Sequence, residues 1–111
     1  MRQRAEFQRV YTHGMKVVGR FMVVFALVRP EGGCRLGITA TRKFGGAVVR
    51  NRARRRVRAL FRGEAAVRDG LRADLVVNVR HGCDEVGWDR LREDYLECLG
   101  RIRHRLRPPA P

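Results

Sequence analysis

Arginine is the residue type with the clearest chemical meaning in this chain. Seven of the thirteen residues from Arg50 to Arg62 are arginine, and no acidic residue occurs between Glu31 and Glu64. A guanidinium group presents a planar set of N–H donors that pairs with two phosphate oxygens at once. The segment therefore predicts a surface that binds a phosphate-rich partner.

Helical periodicity sorts this segment into two faces. At about 100° per residue, five apolar side chains share one side; they are Val49, Ala53, Val57, Leu60 and Phe61. The nearly opposite side carries Asn51, Arg54, Arg55, Arg58 and Arg62. Arg52 and Arg56 lie on a flank between the two. One face can pack against a core while the other offers guanidinium groups to a partner.

Two other interpretations of the arginine run are a solvated helix face and a membrane-surface helix. A solvated face normally mixes charges of both signs, whereas here like charges repel four residues apart, as in Arg50–Arg54 and Arg54–Arg58. A membrane-surface helix usually carries several large apolar anchors, and this one has only Leu60 and Phe61. An external polyanion accounts best for the pattern.

Other residues that could do chemistry form no catalytic pattern. The glycines of FGGAVV at 44–49 are not followed by the Gly-Lys-Ser/Thr of a phosphate-binding loop, although a minor phosphate role at this helix start stays open. The histidines and cysteines are widely spaced and match no nuclease or zinc pattern; they are His13, His81, His104, Cys34, Cys83 and Cys98. No protein-bound metal and no catalytic residue is expected.

The whole chain has the charge of a nucleic-acid-binding domain. Its 111 residues carry 25 Lys and Arg against 11 Asp and Glu, a net charge of +14, and this length suits one domain. We expect a single nucleic-acid-binding domain over 1–107 and a disordered tail at 108–111. The apolar run at 21–28 is too short for a membrane helix and follows a polar, charged stretch. No membrane partner is therefore expected, and the cytoplasm is the default location.

The remaining pattern predicts the elements that position the arginine helix. A helix is expected over 3–13, a strand over 17–28 bent at Gly19, and a second strand over 34–41, the two strands forming a hairpin. After the arginine helix come a connecting segment at 63–73, a strand at 74–80, a loop at 81–87 and a helix at 88–106. The core stripe of that last helix is predicted as Trp88, Leu91, Tyr95, Leu99, Ile102 and Leu106. This order predicts an α+β fold, a small α/β sandwich in which a central sheet of about four strands carries helices on one side.

The segment from Leu36 to Arg62 resembles the signature region of the bacterial ribonuclease P protein subunit. That family has a strand ending in Ser/Thr and Lys/Arg, then G-N-A-V-x-R-N-R, then a basic helix. The matching residues are Thr39, Thr41, Arg42, Lys43, Gly45, Ala47, Val48, Arg50, Asn51, Arg52, Arg54, Arg55, Arg58 and Phe61. Gly46 replaces the usual Asn, and Arg56 replaces an aliphatic residue, which suggests a more exposed flank. The resemblance covers nearly the whole chain and implies a left-handed β-α-β crossover, against the usual right-handed rule.

The resemblance also implies a function. The family's protein joins a catalytic RNA that removes the 5′ leader of precursor tRNA, and the RNA and substrate hold the Mg²⁺ ions. It implies that the protein is a monomer within the ribonucleoprotein and that the catalytic RNA is bound by Arg50, Asn51, Arg52, Arg54, Arg55 and Arg58. It implies that the leader lies in a cleft formed by Phe7, Tyr11 and Phe25, with Thr41, Arg42, Lys43 and Arg80 near its rim.

The three aromatic residues are the point at which pattern and resemblance disagree. From the pattern alone, Phe7, Tyr11 and Phe25 are ordinary core candidates, whereas the resemblance makes them a platform for unpaired bases. The alternative function is a structural, ribosomal-type RNA-binding protein, which needs the basic helix but no leader cleft.

Overall fold

The computed structural model of this chain describes residues 3–106, so the predicted tail at 108–111 lies outside the described residues. The elements in chain order are α1 (Arg4–His13), β1 (Met15–Val18), β2 (Met22–Val28), β3 (Arg35–Thr39), α2 (Ala47–Gly63), α3 (Ala65–Arg68), β4 (Ala73–Val79) and α4 (Trp88–Leu106). The three long helices lie close to where their apolar periodicity predicted them.

The four strands form one sheet in the order β1-β2-β4-β3. β2 pairs antiparallel with both β1 and β4, whereas β3 pairs parallel with β4. Parallel neighbours need a crossover connection, and the chain supplies it with α2 and α3 between β3 and β4. The expected α+β fold with about four strands and a β-α-β crossover is confirmed, and the left-handedness of that crossover stays a prediction.

The expected bent strand over 17–28 is wrong, because the chain reverses direction after Gly19. β1 and β2 form a hairpin across this reversal. The Asp94 carboxylate caps the turn by accepting hydrogen bonds from the backbone N–H groups of Arg20 and Phe21, at 2.9 and 2.8 Å. A Cβ on Gly19 would lie 2.8 Å from both Asp94 oxygens, so this close approach requires glycine.

The expected hairpin over 17–41 is also wrong, because β4 lies between β2 and β3. Val77 of β4 is the register partner of Val24 on one side and of Ile38 on the other. The first five residues of β4 are all buried, as is typical of a central strand. β4, the apolar strand that follows the crossover, is therefore an interior strand of the sheet.

Helices cover both faces of the sheet, so the expectation that they lie on one side is wrong. Strand alternation gives each face its own set of side chains. Met22 and Val24 point into the main core, which they share with buried side chains of α2 and α4. Phe25 points to the other face, where its ring contacts Tyr11 of α1. This separation places α1 and the arginine helix on opposite faces.

The apolar stripe of α4 is shorter than predicted. Leu91, Tyr95, Leu99 and Ile102 are fully buried, and Leu106 packs against the core as a partly buried side chain. Trp88, however, is 43% exposed. The prediction that Trp88 belongs to the core is wrong, because the helix begins beyond the edge of the packed interior.

Candidate nucleic-acid interface

The two faces of α2 have the phase that the sequence predicts. Ala53, Val57 and Leu60 are fully buried against the sheet. The outward side chains fall into an exposed group, Asn51, Arg52, Arg55, Arg58 and Arg62, and a half-buried pair, Arg50 and Arg54. We give the name arginine face to the six residues that are predicted to bind RNA: Arg50, Asn51, Arg52, Arg54, Arg55 and Arg58.

The arginine face is short of protein partners. Arg54 Nη1 donates a long hydrogen bond of 3.4 Å to Asn51 Oδ1. Arg50 Nε is buried and has no hydrogen-bond partner within residues 3–106. Across the same residues, none of these arginines forms an ion pair with a carboxylate. Guanidinium groups with unused donors on one helix face make a surface ready for an external anion.

Arg56 departs from the expectation of an exposed flank. Its guanidinium group is half-buried, and its Nη1 donates to the carbonyl oxygen of Cys83 at 2.8 Å. Its Nη2 donates to the carbonyl oxygen of Val86. Because those donors hold the loop between β4 and α4 against α2, Arg56 stabilises the fold and is not a free phosphate ligand.

α1 packs against β2 and β4 on the sheet face that points away from the main core. The rings of Tyr11 and Phe25 meet edge to face, with centroids 4.8 Å apart and planes at 88°. Both residues are half-buried, as is Phe7, one helical turn before Tyr11. The structure therefore brings Tyr11 and Phe25 together and leaves part of each of the three aromatic side chains accessible.

The hydroxyl group of Tyr11 anchors the ring to two strands. Tyr11 Oη donates to Asn78 Oδ1 at 2.7 Å, and Thr39 Oγ1 lies 3.0 Å from the same oxygen. Because a phenol has one proton and Asn78 receives it, the Thr39 hydroxyl must donate to Tyr11. Thr39 and Asn78 are register partners on β3 and β4, so the bonds fix the ring over the parallel pair.

The predicted rim residues gather at one end of the sheet. Thr41, Arg42 and Lys43 follow β3, and Arg80 follows β4; all four are exposed. Since β3 and β4 are parallel, their carboxyl ends share an edge. Arg80 Nη1 also donates to the carbonyl oxygen of Gly19 at 2.6 Å, which ties this rim to the β1–β2 turn.

Three polar residues that contact these two rings were not predicted as site residues from the sequence. Thr39 and Asn78 hold the Tyr11 hydroxyl group, and the Nζ of the exposed Lys16 lies 5.9 Å from the centroid of the Phe25 ring. Of the three, only Thr39 is part of the family motif. A polar residue in the buried run DLVVNV was the available signal for Asn78. Lys16 had no signal, because its position depends on the pairing of β1 with β2.

An ionic network fixes α1 to the far end of the sheet. Arg35 donates to both carboxylate oxygens of Asp74, at 2.7 and 2.8 Å, and its Nη1 lies 3.1 Å from Glu6 Oε2 on α1. Arg29 Nε approaches Asp74 at 3.5 Å. The hydrogen bonds from Arg35 lower the pKa of Asp74 below its ordinary value, and the charges of Arg35 and Arg29 act in the same direction. The network therefore links β3, β4 and α1.

The thiols and other ionisable groups add no further centre. Burial raises the pKa of Cys34 to about 11, and burial raises the pKa of both Cys83 and Cys98 to about 12, so all three remain protonated at neutral pH. Within residues 3–106, no three His, Cys, Asp or Glu side chains are grouped as metal ligands. Over the same part of the chain, no helix has the length and apolar content needed to cross a membrane.

Comparisons with known proteins point to one family. Residues 1–103 match the profile of the family described as Ribonuclease P. A "Ribonuclease P protein component" from Streptococcus agalactiae is 32% identical over 95 residues, covering 85% of this chain and 84% of that protein. One from Maridesulfovibrio salexigens is 32% identical over 104 residues, covering 90% and 83%.

Solved structures give the same result. The RNase P protein from Thermotoga maritima superposes with a TM-score of 0.83 at 32% identity, covering 92% of this chain and 96% of that one. The Staphylococcus aureus RNase P protein superposes with a TM-score of 0.81 at 28% identity, covering 93% and 94%.

Proposed function

Because this chain belongs to the ribonuclease P protein family, we propose that it binds the catalytic RNA and the 5′ leader of precursor tRNA and assists the RNA-catalysed removal of that leader. The observation that carries the proposal is the pairing of two surfaces on opposite faces of one sheet. One is an arginine face without ion pairs within the described residues, and the other is an aromatic cleft with a basic rim.

The arginine face is the proposed binding surface for the catalytic RNA. Its guanidinium groups project from a helix whose opposite side is buried in the core, so the helix that carries them is held in place before the RNA arrives. Arg50 Nε lacks a hydrogen-bond partner within the described residues, and a phosphate oxygen would satisfy it. Each phosphate neutralised by an arginine releases condensed counterions, which is the main source of such affinity.

The cleft between α1 and the sheet is the proposed binding surface for the leader. A single strand needs ring faces for its bases and cations for its phosphates. Tyr11 and Phe25 supply the rings, and Arg42, Lys43 and Arg80 supply the charge at the end of the sheet. A leader is unpaired, so its bases are free to stack on these rings.

The proposed division of labour leaves the hydrolysis to the RNA. In this proposal the RNA and the substrate hold the Mg²⁺ ions that activate the attacking water. The protein contributes binding and charge: a net charge of +14 reduces the repulsion between two polyanions and lowers the concentration of cations needed to bring them together. We propose that it acts as a monomer within a cytoplasmic ribonucleoprotein.

The test is cleavage of precursor tRNA by the catalytic RNA at low Mg²⁺, with and without this protein. We expect the protein to accelerate cleavage, and Arg54→Ala/Arg58→Ala protein to require a higher concentration for the same rate. A second substrate with a leader of one nucleotide distinguishes the alternative. A structural RNA-binding protein would stimulate both substrates equally, whereas a leader-binding subunit favours the long leader. No stimulation of either substrate would overturn the proposal.

A further inference from the structure

Trp88 is the only tryptophan of the chain, and its ring is accessible at the first residue of α4. Its side chain is 43% exposed, while the later members of the same helical stripe, Leu91 and Tyr95, are completely buried. Large aromatic rings on a protein surface are typical of binding sites, since they provide much contact area for little loss of side-chain entropy. The ring is therefore available to a partner without any rearrangement of the core.

The ring is held beside the arginine helix. The guanidinium carbon of Arg56 lies 5.8 Å from its centroid, within the range of cation–π attraction. Arg56 is itself fixed by the carbonyl oxygens of Cys83 and Val86. One helical turn before Arg56, the exposed Arg52 lies on the same flank of α2. Trp88 thus continues the arginine face onto a second element.

A second contact keeps the start of α4 next to α2. Arg92 lies one turn after Trp88, and its guanidinium group forms an ion pair with Glu64 at the end of α2. Arg56 lies within α2, and Glu64 directly follows its last residue. Because the two contacts are made at separate points along α2, they fix both the position and the direction of the first turns of α4. The location of the Trp88 ring relative to the arginine face is therefore set by the fold.

From this geometry we propose that Trp88 stacks on an unpaired base of the catalytic RNA, at the edge of the surface formed by the arginine face. This proposal rests on the proposed function. The neighbouring Asp89 is exposed and disfavours phosphate at this point, so the uncharged face of a base is the complementary group. Arg52 provides the adjacent phosphate contact, and base–aromatic stacking adds affinity that tolerates different base identities.

A single tryptophan allows a direct test in the unlabelled protein. When the protein is excited at a wavelength that tyrosine does not absorb, all of its fluorescence comes from Trp88. We expect the catalytic RNA to quench this emission and to shield the ring from acrylamide. Emission and acrylamide access that stay unchanged while the RNA is bound would overturn the proposal.

Variants separate stacking from simple apolar packing. Trp88→Leu keeps an apolar side chain but has no ring, and we expect about ten-fold weaker binding of the catalytic RNA. Trp88→Phe retains a ring and should restore most of the loss. Val28→Ala is the matched control, because Val28 is a 55% exposed apolar residue at the end of β2, and it should leave RNA affinity unchanged. Thermal unfolding of each variant verifies that it is folded.

The outcomes distinguish this proposal from the function on which it rests. If Trp88→Leu binds the catalytic RNA as tightly as wild type while Arg58→Ala binds more weakly, the stacking proposal is wrong and the proposed function stands. If wild-type protein does not bind the RNA at all, the proposed function fails. If Trp88→Leu changes self-association measured by sedimentation but not RNA affinity, the ring serves a contact between copies and the stacking proposal is wrong. Should Trp88→Leu not fold, the shielding measurement on wild-type protein decides.

Discussion

Tyr11 has two separable properties, a ring and a hydroxyl group. The ring contacts Phe25 and is partly accessible, while the hydroxyl bonds to Thr39 and Asn78 hold it over the parallel strands. In the proposed function the ring binds the leader, and the hydroxyl group positions the ring. Substitutions that remove one property at a time can separate the two.

We predict that Tyr11→Ala weakens the binding of precursor tRNA to the holoenzyme by about ten-fold, because a stacking surface is lost. Tyr11→Phe should retain most of the affinity but lower the free energy of unfolding by about 1 kcal/mol, since Thr39 and Asn78 lose their partner. The measurements are holoenzyme affinity for precursor and mature tRNA and urea unfolding of the free protein. An equal loss for both RNAs with Tyr11→Ala would return these aromatics to a purely structural role.

Asp74 makes the stability of the protein sensitive to acid. Its pKa is lowered in the folded state, chiefly by the hydrogen bonds from Arg35. A carboxyl group of this kind contributes stability above its unfolded pKa, which is about 3.9, and loses that contribution as the pH falls through the lower folded value. We predict that Asp74→Asn is less stable than wild type at neutral pH and that the difference shrinks below about pH 4.

Urea unfolding across an acidic pH series measures this effect. Asp69→Asn is the matched control, because the Asp69 side chain is exposed and lies outside the ionic network. Its unfolding curve should follow wild type at each pH. A constant difference between Asp74→Asn and wild type over the whole series would show that the network does not act through the charge of Asp74.

At the level of elements, α2 combines three roles on three sides. Its buried side packs into the core, its arginine face is free of ion pairs within the described residues, and its flank holds the loop between β4 and α4 through Arg56. A substitution should therefore affect stability or RNA binding according to its position around the helix.

We predict that substitutions of two arginines only two positions apart affect different properties, RNA binding in one case and stability in the other. Arg58→Ala should weaken binding of the catalytic RNA several-fold and leave the melting temperature nearly unchanged, because it removes a phosphate contact. Arg56→Ala should instead lower stability by about 1–3 kcal/mol, since two carbonyl oxygens lose their donors. Val57→Asp should unfold the protein by burying a charge. A folded Val57→Asp protein together with an unfolded Arg58→Ala protein would reverse the helix phase.

Features that depend on neighbouring residues could be predicted from the sequence, whereas features that depend on contacts between distant residues could not. The phase of α2 is a local property, so periodicity alone predicted that Val57 is buried and Arg58 exposed. The strand order depends on β4, which arrives after the crossover, and the turn at Gly19 is capped by the distant Asp94. The contacts of Thr39 and Asn78 with Tyr11 likewise join positions far apart in the chain, and no local pattern indicates them.

For the whole molecule, the net charge of +14 lowers the stability of the free protein and raises its affinity for RNA. Like charges on the free protein repel, so salt that screens them should favour the folded state. RNA binding releases counterions, so log affinity should fall linearly with log salt, with a slope of about −0.7 to −0.9 per phosphate contact.

We therefore predict that added KCl raises the melting temperature of the free protein while it weakens RNA binding. Differential scanning calorimetry and RNA titrations over one salt series measure both quantities. Repeating the titrations with Arg54→Ala/Arg58→Ala protein should reduce the salt slope by about two contacts. A salt slope near zero for the wild-type protein would argue against the arginine face as the RNA surface.

The central position of β4 also determines the order in which a nascent chain can fold. The β1–β2 hairpin joins neighbouring segments and can close as soon as both have left the ribosome. β3 has β4 as its partner, so it must wait until the arginine helix and the crossover have been synthesised. The ladders on both sides of β4 then form together. For part of its synthesis the chain therefore exposes its most basic helix before the sheet that supports it is complete. At that stage the helix is close to the RNA of the ribosome.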